Sequence, residues 1–312
     1  MVTDTKKAVG AALVQLGNDR KDFVVLEGDL SGSTQTCQFA EAHPERFIDC
    51  GIAEMNMMGM AAGFAACGIT PVVSTFSVFA TMKSCEQIRT FICYPDLNVK
   101  IIGSYAGIDV GEAGVTHQAT EDMAILRSFP NMHIISPSDA VEASAAVKEM
   151  MRIDGPVYLR LGRSPLPEYH PEDYQLQYGK AEVLKKGADV GIFATGPTVC
   201  KVLQASEIIS SQDISAEVIN VPFIKPFDTE TALRVADKVQ VIFSVEDHNT
   251  IGGLGSALLE ALSGTYSSTP IIRLGLQDVF GTSGTPEELY DRFGLSGERI
   301  ARQILEVLPT VG

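Results

Sequence analysis

No Cys-x-x-Cys pair occurs in this 312-residue chain. Its six cysteines, at 37, 50, 67, 85, 93 and 200, are scattered, as are its five histidines. That spacing argues against a zinc site or a disulfide framework and predicts reduced thiols in a cytoplasmic chain. No Lys/Arg-rich run is present and the formal net charge is −15, which argues against nucleic acid or an anionic membrane as the main partner. The opening MVTDTKKAVGAAL lacks the basic-then-apolar order of a signal peptide. An uninterrupted membrane span is missing too. The most apolar stretch, DCGIAEMNMMGMAAGFAACGITPVVSTFSVFATM (49–82), is broken by Gly59, Gly63, Gly68 and Pro71. Its piece from Glu54 to Gly68 predicts a helix of about 14 residues, roughly 21 Å, short of the ~20 residues a span needs. Neither G-x-G-x-x-G nor a P-loop Lys-Ser/Thr occurs, so IGGLGSAL (251–258) reads as a tight strand–helix junction. There is no internal repeat and no low-complexity tract.

What is present is a chain rich enough in apolar residues, 45%, to bury a core. FVVLEG (23–28), RFIDC (46–50), TPVVST (70–75), VKIIGS (99–104), HIISP (133–137) and PVYLRL (156–161) read as strands. Helical patterns fill 5–17, 54–67, 77–93, 119–128 and 138–152. Alternation of this kind implies a parallel sheet covered on both faces. The Pro-rich, polar RSPLPEYHPEDYQLQYG (163–179) then breaks the pattern. It restarts with strands DVGIFAT (189–195), AEVINV (216–221), VQVIFSV (240–245) and PIIRLG (270–275), and helices at 197–211, 229–236, 252–263, 285–293 and 296–308. The expected fold class is α/β, with two doubly wound domains at 1–165 and 180–312 joined by a linker at 166–179.

Ligands of open parallel sheets bind beyond the C-terminal strand ends. GDLSGST (28–34), CGIAE (50–54), TFSVF (75–79), GSYAGIDVGEAGVTHQ (103–118), RLGRS (160–164) and EDHNTIGG (246–253) occupy those places. Glu54 stands alone at the edge of the apolar stretch. A helix N-terminus favours its carboxylate, whereas a dry site would keep it protonated and able to donate to a ring nitrogen. An exposed first-turn acid is the plainer reading. His117 ends a loop of four glycines and either exchanges protons near neutral pH or caps the next helix. Phe76 and Phe79 are core residues or a stacking surface for a flat heterocycle. Arg163 is placed where an anion could dock.

Taken together, DCGIAEMNMMGMAAGFAACG, STFSVF, GEAGVTHQATEDMAILRSFPNMHIISPSD, EDHNTIGGLGSA and FGTSGTPEELYDRFGL resemble the C-terminal portion of transketolase, in order and spacing, over nearly the whole chain. The resemblance implies a thiamine-diphosphate pyrimidine-binding domain followed by a smaller transketolase C-terminal domain. It implies transfer of a two-carbon ketol unit from a ketose to an aldose, commonly sugar phosphates. Glu54 matches the glutamate that contacts the aminopyrimidine and promotes its imino form. Phe79 matches the aromatic stacked on that ring, with Phe76 nearby. Asp29 and Leu30 match a segment near the cofactor, and Ser33 a substrate-phosphate contact. His117 matches the histidine facing substrate hydroxyls, and Arg163 a phosphate-binding arginine. Three positions depart. Ala113 stands where the family has an aspartate that reads the donor's C2 hydroxyl. Tyr105 stands for a phosphate-contacting histidine, and Lys6 for an arginine, which keeps the charge but loses the fork.

The Gly-Asp-Gly…Asn segment that binds Mg2+ and the diphosphate in full transketolases is absent from this sequence, and no metal ligands are expected here. The resemblance therefore implies a partner subunit carrying that N-terminal domain, an α2β2 assembly, and apolar residues within 54–82 that serve partly as an interface. Three rival readings stand beside it: the β subunit of a 2-oxo-acid dehydrogenase decarboxylase, a partial deoxyxylulose-phosphate synthase, and a non-catalytic interaction subunit that kept the fold.

Overall fold

A computed structural model of the chain describes residues 1–265 and 267–311; Gly312, the last residue of the expected second unit, lies outside them. The apolar runs of the first half form a sheet in the order Phe223–Lys225, His133–Ile135, Val157–Arg160, Lys100–Ser104, Thr70–Phe76, Phe23–Glu27 and Phe47–Asp49. All neighbours are parallel except Phe223–Lys225, which runs antiparallel to His133–Ile135. The central strand Thr70–Phe76 is buried along its whole length, as expected where helices cover both faces. One face packs under the helix Glu54–Ala66 through Met57, Met58 and Ala61. The other packs under helices Thr5–Asp19 and Ala140–Met150 through Leu13, Ala143 and Val147.

The second half forms a sheet in the order Ile271–Leu276, Val241–Asn249, Val190–Ala194, Ala216–Asn220 and Glu182–Lys185, the last antiparallel. Its core includes Val190, Ile192, Val218 and Phe243, with Ile300 and Ile304 of helix Gly297–Val311. Both sheets are the α/β layers expected. No helix among the described residues is long and apolar enough to cross a membrane, and all six cysteines are free.

Several elements differ from expectation, each for a local reason. The helix expected over 77–93 is instead a π-turn at Phe79–Lys83, one α-turn at Cys85–Gln87 and a second π-turn at Ile88–Cys93. The Thr81 hydroxyl donates to the Ser77 carbonyl at 2.7 Å, taking an acceptor the α-helical ladder would use. Phe223–Lys225 crosses from the second half to pair with the first sheet, a strand too short to read as one. Strands Val2–Thr3 and Leu166–Pro167 pair with each other, and Glu182–Lys185 and the short helices Ser31–Thr34 and Cys37–Ala42 were not foreseen. In the glycine-rich turn read as a strand–helix junction, the Glu246 carboxylate accepts the N–H groups of Leu254 and Gly255 at 2.7 and 2.9 Å. The chain's own acid thus occupies that helix N-terminus, as a structural junction requires.

The linker is pinned by charge. Asp139, the N-cap of helix Ala140–Met150, accepts the N–H groups of Tyr169 and His170 and pairs with His170 Nδ1 at 2.9 Å. His170 Nε2 faces Glu182 Oε2 at 3.1 Å. Ligand atoms of Glu142, His170 and Glu182 lie within 4.8 Å of one another, the spacing of a metal site. Both oxygens of Glu142 are already engaged, by Ser138, Tyr174 and Asn220. Burial alone would lower the His170 pKa, but its hydrogen bonds to Asp139 and Glu182 outweigh this and raise it to about 10. The imidazolium therefore stabilises the fold fully below its unfolded value of 6.5, and that contribution is lost as pH rises through about 10. Thermal melts of the wild type should fall progressively across that window. His170→Asn should melt lower at pH 6.5 and lack the His170-dependent slope; parallel curves for the two proteins would refute the assignment.

Candidate active site

The strand ends place the chemistry. Strand Phe47–Asp49 leads to the helix Glu54–Ala66, which opens on Glu54. Strand Thr70–Phe76 ends in Phe76 and passes into the π-turn that carries Phe79 and Lys83. Strand Lys100–Ser104 is followed by Tyr105, and Val157–Arg160 by Arg163. All lie beyond the C-terminal edge of one parallel sheet.

The side chains then meet in sequence. Glu54 is buried, and Lys83 Nζ donates to its Oε1 at 3.0 Å. The same ammonium lies 4.2 Å from the centroid of the Phe79 ring, a cation–π contact. Phe79 meets the His117 ring edge-on at 5.3 Å and is stacked with Phe76 at 5.9 Å. Phe76 stacks on Tyr105 at 4.1 Å. Lys6 Nζ and Arg163 Cζ lie 5.4 and 5.8 Å from the Tyr105 centroid. Seven of the candidates, Glu54, Phe76, Phe79, Tyr105, His117, Lys6 and Arg163, thus form one connected cluster. The plainer reading of Glu54 as an exposed first-turn acid is corrected: the side chain is buried and, within this chain, partnered by Lys83.

Lys6 is buried in the first turn of helix Thr5–Asp19, where the helix dipole opposes a cation. Asp4 Oδ1 offsets this at 2.9 Å, and the Arg163 carbonyl accepts a second hydrogen bond from Lys6 Nζ. The Arg163 main chain is held by Asp109, whose Oδ2 accepts the N–H groups of Arg163 and Ser164 at 2.5 and 2.6 Å. Arg163 Nη1 donates to the Val110 carbonyl at 2.6 Å and to Glu112 Oε2 at 2.8 Å. That pairing raises the Arg163 pKa, and a backbone hydrogen bond, followed by the pairing itself, lowers that of Glu112. Tyr105 is held at φ 59°, the left-handed region that a bulky residue rarely enters and that clusters at functional sites.

The His117 loop is braced by the second half of the chain. Gln118 Nε2 donates to the Thr282 carbonyl at 2.9 Å. Gly107, at φ 68°, lies so close to Asp247 that an added Cβ would sit 1.9 Å from Oδ2, so only glycine fits. His117 itself is half-buried, with Nδ1 3.0 Å from the Thr116 hydroxyl. Ala113 is exposed on the same loop.

Asp29, Leu30 and Ser33 follow strand Phe23–Glu27, which lies between the strands that lead to Phe79 and to Glu54, but among the described residues their side chains are not joined to the cluster. Asp29 is exposed at φ 62°, and Leu30 and Ser33 are half-buried. Their loop is anchored by Glu27, which neither composition nor spacing had singled out. Its Oε2 accepts the Leu30 N–H at 2.6 Å and its Oε1 the Thr34 hydroxyl at 3.0 Å. Lys83, Asp109 and Glu112 were missed as well. The signals available were a first charge after Glu54 four residues past Phe79, and two acids inside a loop of glycines.

The residues fit a flat, nitrogen-rich ring. A buried carboxyl stands beside a half-buried aromatic face and an imidazole, and the hydroxyls of Ser74, Thr75 and Ser104, at the ends of the same strands, are buried without a protein partner among the described residues.

The family model for the transketolase pyrimidine binding domain matches residues 2–168, and that for the transketolase C-terminal domain matches residues 179–300. A Methanocaldococcus jannaschii protein provisionally named a transketolase C-terminal section is 43% identical, over 96% of this chain and 95% of its own length. A 6-deoxy-6-sulfo-D-fructose transketolase subunit from Clostridium sp. (strain MSTE9) is 41% identical, over 91% and 88%. The solved structure of a split-gene transketolase, an inactive β4 tetramer, superposes with a TM-score of 0.90 at 41% identity, covering 99% of each chain.

Burial raises the Glu27 pKa to about 7 against the Leu30 N–H bond that opposes it. A carboxyl held high in the folded state costs stability once ionised, so the fold should weaken as pH rises from about 4.5 to about 7. Glu27→Gln should flatten that part of the Tm-versus-pH curve. An unchanged slope would mean that Glu27 is already ionised at pH 5.

Proposed function

The chain belongs to the transketolase family, and from that premise we propose that it is the C-terminal subunit of a split transketolase. It moves a two-carbon ketol unit from a ketose phosphate to an aldose phosphate when joined to a partner subunit, in the cytoplasm. The partner supplies the Mg2+ and diphosphate site, and two copies of each chain form an α2β2 assembly. We read residues 1–165 and 180–312 as the two domains and 166–179 as their linker. The observation that carries this reading is the convergence of Glu54, Phe79 and His117 on one edge of the parallel sheet.

Thiamine diphosphate, when bound, supplies the carbon nucleophile and electron sink for breaking a carbon–carbon bond beside a carbonyl. This chain's residues supply the setting. The Glu54 carboxyl holds a proton at a ring nitrogen of the aminopyrimidine, which requires the Lys83 ion pair to open. Phe79, backed by Phe76, presents the face on which the ring stacks. Asp29 and Leu30 border the ring from the neighbouring loop. His117 hydrogen-bonds substrate hydroxyls and positions them. Lys6, Arg163 and Ser33, with Tyr105 between the two cations, receive the phosphate end.

Support for a partner comes from an exposed apolar surface around Glu54. Ile52 is 77% exposed and Met55 57% exposed, and Met82, Phe91 and Tyr94 add to it. Gly59 and Gly63 face open space on the same helix. Apolar residues of this size left uncovered mark an interaction site. The relatives reported above carry transketolase names, which favours ketol transfer over acyl transfer to lipoamide.

Two measurements test the reading. Pull-down of the chain from its native source should bring a companion of about 30 kDa, the size expected for the missing metal-binding half. In the reconstituted complex with thiamine diphosphate and Mg2+, Glu54→Gln should lower turnover by about 10²–10⁴-fold while assembly persists. Near-normal turnover would reject the role given to Glu54.

A further inference from the structure

We propose that Glu112 is a charge gate on the anion end of the substrate cleft. Its carboxylate occupies Arg163 until an anionic group of the substrate displaces it, and it thereby sets discrimination against doubly charged phosphate. The proposal rests on the reading that Arg163 receives the substrate phosphate.

The charges are countable. Two cations, Lys6 and Arg163, flank Tyr105. Each already has a carboxylate of its own, Asp4 on Lys6 at 2.9 Å and Glu112 on Arg163 at 2.8 Å. Asp109 faces the same place but is spent on two main-chain N–H groups. Lys6, Arg163, Asp4 and Glu112 therefore sum to zero, and the Asp109 carboxylate takes the total to −1, a poor field for a dianion.

The two carboxylates are not equivalent. Asp4 is built into the fold: it caps helix Thr5–Asp19 by accepting the Lys6 N–H at 2.9 Å. Glu112 is exposed, and apart from its own main-chain N–H its side chain bonds only Arg163 among the described residues. It sits between Gly111 and Gly114, at φ 71° and 72°, backbone positions that a glycine can leave cheaply. On the guanidinium, Nη1 is shared between Val110 and Glu112. Nε and Nη2 have no protein acceptor among the described residues, so an incoming oxyanion can dock on that edge. It can then pull Nη1 from Glu112 to complete a fork. An exposed pair of this kind opens at small cost.

The test uses the isolated full-length chain and inorganic phosphate as probe, titrated at low ionic strength by calorimetry or 31P NMR. Glu112→Gln should tighten phosphate binding by about two- to five-fold, the worth of an exposed ion pair, and the gain should shrink as salt is raised. Methanesulfonate, with one charge, should gain less than phosphate. Arg163→Met should weaken phosphate binding and cancel the gain in the double variant. If Arg163→Met weakens binding and Glu112→Gln leaves it unchanged or weaker, the gate is refuted while the Arg163 assignment survives. Equal gains for both anions would refute discrimination by charge. If Arg163→Met has no effect, or no variant binds phosphate, the Arg163 assignment fails and the gate with it.

Discussion

Arg160 is the constraint on which the arrangement turns. It ends a central strand and is fully buried, with Nε 2.9 Å from Asp122 Oδ2 and Nη1 2.7 Å from Asp247 Oδ1. Its Nη2 also reaches the carbonyls of Ala119 and Asp247. Asp122 opens the helix just past the His117 loop, and Asp247 belongs to the second sheet. One guanidinium therefore ties three things together: the strand that delivers Arg163, the loop that carries His117, and the neighbouring domain. Burial raises the Asp247 pKa to about 6 against the pull of Arg160. A buried charge left unpartnered costs about 3–5 kcal/mol, so each member of the triad is obligatory once the others are in place. This gives the second domain a physical task at the site. Among the described residues no hydrogen bond, ion pair or ring contact joins it to Glu54 or Phe79, yet it holds the His117 loop through Asp247, Thr282 and the space taken beside Gly107.

The parallel sheet and the position of its ligand edge were legible because fully buried strands are apolar runs, and FVVLE or KIIGS can hardly be anything else between helices. The segment 77–93 is helical as expected, but partly in π-turns, which periodicity cannot detect. A single hydroxyl, Thr81, competes for a main-chain acceptor and converts an α-turn into a π-turn. That change brings Lys83 over Phe79 and onto Glu54. The unpartnered acid inferred from composition was an artefact of reading charge along the chain. Twenty-nine residues separate Glu54 from Lys83 in sequence, and 3.0 Å separate them in space. Phe223–Lys225 escaped notice because three residues carry too little pattern to reveal which of two sheets they join. The family resemblance supplied roles for Phe79 and Ser33 that their local sequence does not express. It did not point to Glu27, Asp109 or Glu112, which act on the chain rather than on a ligand.

These missed acids share a property. Glu27 and Asp109 are buried and satisfy main-chain N–H groups in loops that would otherwise leave donors stranded. Glu112 is exposed and satisfies a side chain. The buried acids fix where the loops run. The exposed one governs what a cation does while no ligand is present.

The same economy applies at the other end of the cluster. Glu54 with Lys83 and Glu112 with Arg163 are both pairs between a site residue and a partly exposed group. If the chain holds only part of an active site, it must exist for a time without cofactor, substrate or partner. Bare charges beside exposed Ile52 and Met55 would then invite wrong contacts. Pairing them internally removes that risk. The Glu112–Arg163 pair, exposed on both sides, opens at small cost, whereas the buried Glu54 carboxyl can release Lys83 only to a group that takes its place. A deeply buried triad like that of Arg160 could not be exchanged in this way. The chain uses the two kinds of ion pair for opposite ends: the fully buried triad where geometry must not change, and the pairs with a solvent-reaching member where a ligand must be able to take the protein's place.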